Sequence, residues 1–257
     1  MASMPSPVDP ELLDAAVTII RKAGALTLEH FRHPELDIIH KGDGTPVTIA
    51  DREAERFVRE QLEELFPDDG ILGEEEAEKI GTSGRRWILD PIDGTKAFTR
   101  GVPLYTNLLA LEDEDGIAVG VINVPALEET VAAGRGLGCF ANGVRVSVND
   151  RPSLDGGCIS TSGFNIWSDE AMLRVKRSGV QLRTWGDGYG YVLVATGRIE
   201  AMVDPVAELY DLAPMPIILA EAGGRFTSYA GEDGPGHGSG VASNGKVHDD
   251  VLALLRD

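Results

Sequence analysis

Trp87-Ile88-Leu89-Asp90-Pro91-Ile92-Asp93-Gly94-Thr95-Lys96-Ala97-Phe98 is the stretch on which the reading of this 257-residue chain turns. An apolar strand runs straight into two carboxylates, a glycine and a hydroxyl. Pro91 disfavours the helical region for Asp90 and removes a backbone donor, so Asp90 is expected to end the strand in an extended conformation. Asp93 then falls in the turn that follows. Two carboxylates in one turn repel each other unless a cation lies between them, and hard divalent cations take carboxylate, carbonyl and water oxygens. Magnesium is the economical choice. Gly94 and Thr95 are expected to open a short helix, whose N–H groups and dipole suit a phosphate. The plainer reading is that both aspartates merely cap a turn.

Working outward, Asp9-Pro10-Glu11 has the order of a helix start, and Leu13, Val17, Ile20, Gly24, Leu28 and Phe31 follow at helical spacing. A helix is expected over 10–32, a loop at 41–46, and a second helix opened by Thr48 and Asp51. From Ile71 the pattern changes to short β runs at 70–73, 86–89, 106–111, 117–124 and 129–133, which predicts a largely antiparallel sheet. Beyond Pro152 strands at 158–161, 181–184 and 199–203 alternate with helices at about 168–179, 189–196 and 212–222, an α/β pattern. Composition and periodicity change together near 150–156. This divides the chain into 1–152, with most of the acidic elements, and 153–257, with a cleft between them as the natural ligand site.

Two further acidic elements accompany the first. Gly73-Glu74-Glu75-Glu76 follows a strand and could supply another ligand, although adjacent glutamates also form solvated faces. Asp204-Pro205-Val206-Ala207-Glu208-Leu209-Tyr210-Asp211 leads into a helix that ends in Glu221-Ala222-Gly223-Gly224. There Asp211 is at its simplest a helix cap.

In order and spacing, the three elements together resemble the inositol monophosphatase superfamily of magnesium-dependent, lithium-sensitive phosphatases. A chance D-P-x-D-G-T in a chain this size has odds on the order of one in ten thousand at average composition. The resemblance implies a layered αβαβα fold, usually a homodimer. It makes Glu74, Asp90 and the Ile92 carbonyl ligands of one magnesium, and Asp90, Asp93 and Asp211 ligands of a second, with two or three ions per site. Asp51 matches a T-x-x-D element whose aspartate supports the hydroxyl of Thr95. Glu74 and Thr95 would orient an attacking water, the N–H groups of Gly94 and Thr95 would hold phosphate oxygens, and the 41–46 loop would close over the site. A catalytically silent relative is expected to lack one of Glu74, Asp90, Asp93, Thr95 or Asp211, and all five are present.

Lys96-Ala97-Phe98 departs from the inositol-enzyme pattern, and the segments 183–191 and 201–211 look like the bacterial histidinol-phosphatase branch. Histidinol carries an ammonium and an imidazole, so carboxylates beside the leaving group would favour it over neutral inositol. Asp187 and Asp204 are the candidates, with Glu208 third. Trp185 could stack on an imidazole and Arg183 could neutralise phosphate. An inositol or broader sugar or nucleotide phosphatase is the alternative within the same chemistry.

Composition excludes several other classes. A net charge of −19, with no basic run, opposes nucleic acid and anionic membranes. Cys139 and Cys158 are too few for a disulfide framework. With no signal-like N-terminus or apolar run of membrane length, the expectation is a cytoplasmic enzyme acting on a small phosphate ester.

Overall fold

The computed structural model describes residues 5–34, 38–40 and 46–256. Helix α1 (Pro10–His30) starts where the Asp9 side chain accepts the Glu11 N–H, with Pro10 at its first position. Its end comes two residues before the expected one: Phe31 is already extended, and Arg32 then turns into the left-handed region. Strands β1 (Ile38–His40) and β2 (Pro46–Thr48) pair antiparallel. The expected closing loop at 41–46 lies outside the described residues except for Pro46, which begins β2. Helix α2 (Ile49–Leu65) opens on a capping box in which the Thr48 N–H and hydroxyl both donate to Asp51 Oδ2 at 2.7 Å.

Seven strands follow: β3 (Gly70–Gly73), β4 (Arg86–Asp93), then after the short α3 (Thr95–Phe98), β5 (Thr106–Asp113), β6 (Gly116–Val124), β7 (Glu129–Gly134), β8 (Gly138–Ala141) and β9 (Val144–Arg145). They form one sheet in chain order, with β3 and β4 parallel and the other neighbours antiparallel. The expectation that Asp90 ends its strand is corrected here. Strand β4 runs on to Asp93, and its register against β5 shifts between Asp90 and Asp93. The irregularity accommodates Pro91, whose carbonyl accepts a 2.6 Å bond from Asn107 Nδ2.

The second half contains β10 (Cys158–Thr161), α4 (Asp169–Ser178), β11 (Gln181–Arg183), α5 (Gly188–Ala195), β12 (Ala201–Asp204), α6 (Leu209–Leu212), α7 (Met215–Glu221), β13 (Arg225–Thr227), β14 (Gly240–Ser243) and α8 (His248–Leu255). The expected helix at 212–222 is two helices, with Pro214 and Pro216 setting the start of the longer one. The five strands order as β11-β10-β12-β14-β13, parallel through β12 and antiparallel beyond it. Strands β1, β2, β8, β9, β13 and β14 and helix α8 go beyond the elements expected from the sequence, each of these strands being four residues or shorter.

The layers follow from two-residue alternation along the strands. Leu109 and Leu111 of β5 face α1 and α2, packing with Ile20, Val58 and Leu62. Leu108 of the same strand faces the opposite way, onto α5 and α7, where Val194, Ile218 and Leu219 also meet Met202 and Ala242 of the second sheet. The outer face of that sheet is covered by α4 and α8 through Ala171, Val175, Val251 and Leu252. The result is an αβαβα sandwich whose central helical layer is shared by both sheets. Among the described residues, no helix is long and apolar enough to cross a membrane.

Candidate active site

The end of β4, the start of α5 and the short α6 converge on one point. Asp90 and Asp93 come from the irregular end of β4. Asp211 comes from α6, where the Glu208 N–H donates to its Oδ2 at 2.8 Å. One oxygen from each of the three carboxylates lies within 4.8 Å of the others. Asp90 Oδ1 accepts the Ile92 N–H at 3.0 Å, which orients that carboxylate. Asp93 Oδ2 accepts the Thr106 hydroxyl at 2.6 Å and the Gly188 N–H at the first residue of α5. This last bond ties the second half of the chain to the first at the site itself.

Burial dominates the electrostatics here and disfavours the charged forms. It lifts Asp90 well above the usual carboxylate range, and Glu74, Asp93 and Asp211 add to the effect. Asp93 is raised in the same way, first by burial and then by Asp187 and Asp211. Asp211 is pushed up to about 6, again chiefly by burial. Glu74, half-buried at the end of β3, therefore stands close enough to Asp90 and Asp211 to be felt by both. An all-oxygen set of clustered carboxylates that resist joint ionisation fits a hard divalent cation. Asp51 adds to that fit: its Oδ1 is buried without a partner among the described residues, and the group is pushed up to about 6, mainly by burial.

Thr95, at the start of α3, donates its hydroxyl to the Ile92 carbonyl at 3.1 Å. Thr95 bonds back locally over three residues, and among the described residues no bond joins its hydroxyl to Asp51, whose Oδ2 is taken by Thr48 and whose Oδ1 has no partner. Gly94 has φ +80°, and a Cβ there would lie 2.8 Å from Asp187 Oδ2. Asp187 thus stands directly against the glycine that joins Asp93 to Thr95.

The other substrate candidates fall elsewhere. Asp204 is 5% exposed, with Oδ1 accepting from the Ser162 N–H and hydroxyl and Oδ2 from the Tyr191 hydroxyl at 2.9 Å. Its reading as a substrate contact is corrected. Both of its oxygens are engaged, and it braces Ser162, whose Oγ in turn accepts the Asp187 N–H at 3.0 Å. Glu208 is exposed and acts on Asp211 through its backbone. Arg183 bonds within its own strand, to the Leu182 carbonyl and Gln181 Oε1, and lies 6.0 Å over the exposed Trp185 ring, so this pair faces solvent beside β11. Sequence reasoning missed Thr106, Ser162, Gly188 and Tyr191. Gly188 and Tyr191 lay inside a quoted segment, whereas Thr106 and Ser162 carry no local signal.

The sequence pattern of the inositol monophosphatase family matches residues 9–257. The chain is 42% identical to a histidinol-phosphatase of Chlorobaculum parvum over 95% of its own length and 96% of that protein. It is 41% identical to a histidinol-phosphatase of Mycobacterium tuberculosis over 93% and 96%. The solved structure of an IMPase from Thermotoga maritima superposes with a TM-score of 0.88 at 32% identity, over 95% of this chain and 96% of that one. The chain belongs to the inositol monophosphatase family and is a phosphoric monoester hydrolase.

Proposed function

We propose that the chain hydrolyses L-histidinol phosphate to L-histidinol and phosphate, as a magnesium-dependent step of histidine biosynthesis. The observation that carries the substrate is Asp187, a carboxylate held against Gly94 at the edge of the acidic cluster and braced from behind by Ser162, Asp204 and Tyr191. A negative group beside the leaving group favours a cationic alcohol over neutral inositol. The names of the two bacterial relatives support the same reading.

In this reading Glu74, Asp90, Asp93, Asp211 and the Ile92 carbonyl hold two or three magnesium ions. Bound magnesium supplies a water of lowered pKa and neutralises the charge that develops on the phosphoryl oxygens and the leaving alkoxide. The chain's own residues do the rest. Glu74 and Thr95 orient the attacking water, and the N–H groups of Gly94 and Thr95 bind phosphate oxygens. Asp187 attracts the substrate's ammonium, and the Gly188 N–H keeps Asp93 aligned. Inhibition by lithium, a homodimer and a cytoplasmic location belong to the same proposal.

The test measures phosphate release from L-histidinol phosphate and inositol 1-phosphate side by side, with magnesium and with chelator. Magnesium-dependent preference for histidinol phosphate, weakened in Asp187→Asn, is expected. A preference for inositol phosphate would keep the hydrolase and remove the substrate assignment.

A further inference from the structure

We propose that Glu55, a buried residue of α2 outside the Asp90–Asp93–Asp211 cluster, is a positioning residue that sets the turn carrying Glu74. The proposal rests on the reading above that Glu74 is a magnesium ligand.

Glu55 is completely buried. Burying an ionised carboxylate is costly unless its oxygens are bonded, and three donors meet this one. Oε2 accepts the Glu75 N–H at 2.8 Å, and Oε1 accepts the Glu76 N–H at 3.0 Å and Arg59 Nε at 2.9 Å. Two successive backbone N–H groups converging on one anion form a nest, here filled by a side chain from another element. Arg59 closes the clasp on its far side, donating through its other guanidinium nitrogen to the Glu76 carbonyl at 3.0 Å. The clasp therefore grips Glu75 and Glu76, the two residues immediately after Glu74, by both N–H groups and one carbonyl.

The residue on the other side of Glu74 is shaped to the same contact. A Cβ at Gly73 would collide with Glu55 Oε1 and its carboxyl carbon. Any side chain at 73 would push the Glu55 carboxylate out of its three bonds, although the backbone there is ordinary β-strand. Asp51, Glu55 and Arg59 lie four residues apart on one buried stripe of α2. The helix that buries Asp51 thus also fixes Glu74, so both acidic groups take their placement from one rigid element.

A conservative change tests this. In Glu55→Gln the amide nitrogen must face either the Glu75 N–H or the donors at Oε1, setting donor against donor. Gly73→Ala disturbs the same clasp from the opposite side. The control is Asp69→Asn, which removes a buried carboxylate bonded to Trp87 Nε1, Ser83 and Arg85 at the far end of β3. Magnesium binding is measured by titration calorimetry on the whole protein without substrate, together with thermal unfolding and amide hydrogen exchange at Glu75 and Glu76.

Loss of a group that orients a metal ligand typically weakens metal binding about 10- to 100-fold. Glu55→Gln and Gly73→Ala are expected to show a loss of that size, with faster exchange at both amides. Asp69→Asn should lower the unfolding temperature and leave magnesium affinity unchanged. Wild-type affinity in Glu55→Gln, or an equal loss in Asp69→Asn, overturns the positioning role. No magnesium binding by the wild type overturns it together with the proposed mechanism. Normal binding without turnover of histidinol phosphate, with affinity lost in Glu55→Gln, sinks the substrate and supports the clasp.

Discussion

Replacing Thr106 by valine removes one oxygen from a buried site while keeping the side chain's shape. Thr106 is fully buried, and its hydroxyl is one of two donors on Asp93 Oδ2, the other being the Gly188 N–H. A hydrogen bond to an ionised group contributes about 1.5–3 kcal/mol net, or roughly 10- to 150-fold in an equilibrium that requires the ionised form. The hydroxyl lowers the Asp93 carboxyl from the high position set by burial and by Asp187 and Asp211. Without it a proton competes harder with magnesium. Thr106→Val is therefore expected to weaken magnesium binding about 10- to 150-fold near neutral pH, and to move the acid limb of the kcat/KM profile up by about 1–2 pH units. The cost to the metal-free fold should be smaller, because Asp93 there resists ionisation. Titration calorimetry over a pH series, with phosphate release beside it, measures both effects, and Thr106→Ser should restore them. Wild-type magnesium affinity and an unmoved acid limb in Thr106→Val would refute the argument that this hydroxyl holds Asp93 ready for a cation.

Other outcomes follow from the same geometry. Asp51 and Asp211 are each raised from 3.8 to about 6, so the metal-free fold is penalised above that pH and relieved as pH falls through it. The rise in unfolding temperature produced by magnesium should therefore shrink as pH drops through about 6, and proton competition at Asp90 and Asp93, both held well above the usual carboxylate range, adds to that dependence and carries it to higher pH. His248, lowered to about 4 by burial, affects the metal-free and loaded forms alike and cancels in that difference. In Gly188→Ala the new methyl would lie 2.8 Å from Asp93 Oδ2. Overpacking of about 1–3 kcal/mol at that junction should appear as a fall in kcat of roughly 5- to 150-fold, with unchanged far-UV circular dichroism. Asn107→Ala strips the Pro91 carbonyl and Asn123 Nδ2 of their bonds. At about 1–3 kcal/mol per stranded group it should lower the unfolding temperature by several degrees, which calorimetry would detect.

Much of the acidic site is legible along the chain because its parts are local. Asp90 and Asp93 are three residues apart around one proline. The Thr48–Asp51 capping box is written in four consecutive residues and forms as read. The proline is the exception. Read along its own strand Pro91 ends it, yet Asn107 reaches across from β5 to satisfy its carbonyl and β4 continues. A single-strand reading has no access to that cross-strand donor.

What the chain order could not decide is which way a carboxylate faces once the layers close. Asp187 and Asp204 read alike in sequence, each an aspartate in a glycine- or proline-marked turn, and both suit a cationic substrate. Packing separates them. Tyr191 and Ser162 saturate Asp204 and leave it buried, while a left-handed turn at Asp187 brings that carboxylate up to Gly94. Glu55 tells the same story from the other direction. In sequence it is one more acidic residue on an amphipathic helix, and its role exists only where α2 crosses the end of β3. Residue type and short spacing determine what chemistry is available, because capping, turn and proline effects act over a few bonds. Burial and the meeting of distant donors determine which of those groups are used, because desolvation and hydrogen bonding are set by neighbours that only the assembled layers supply.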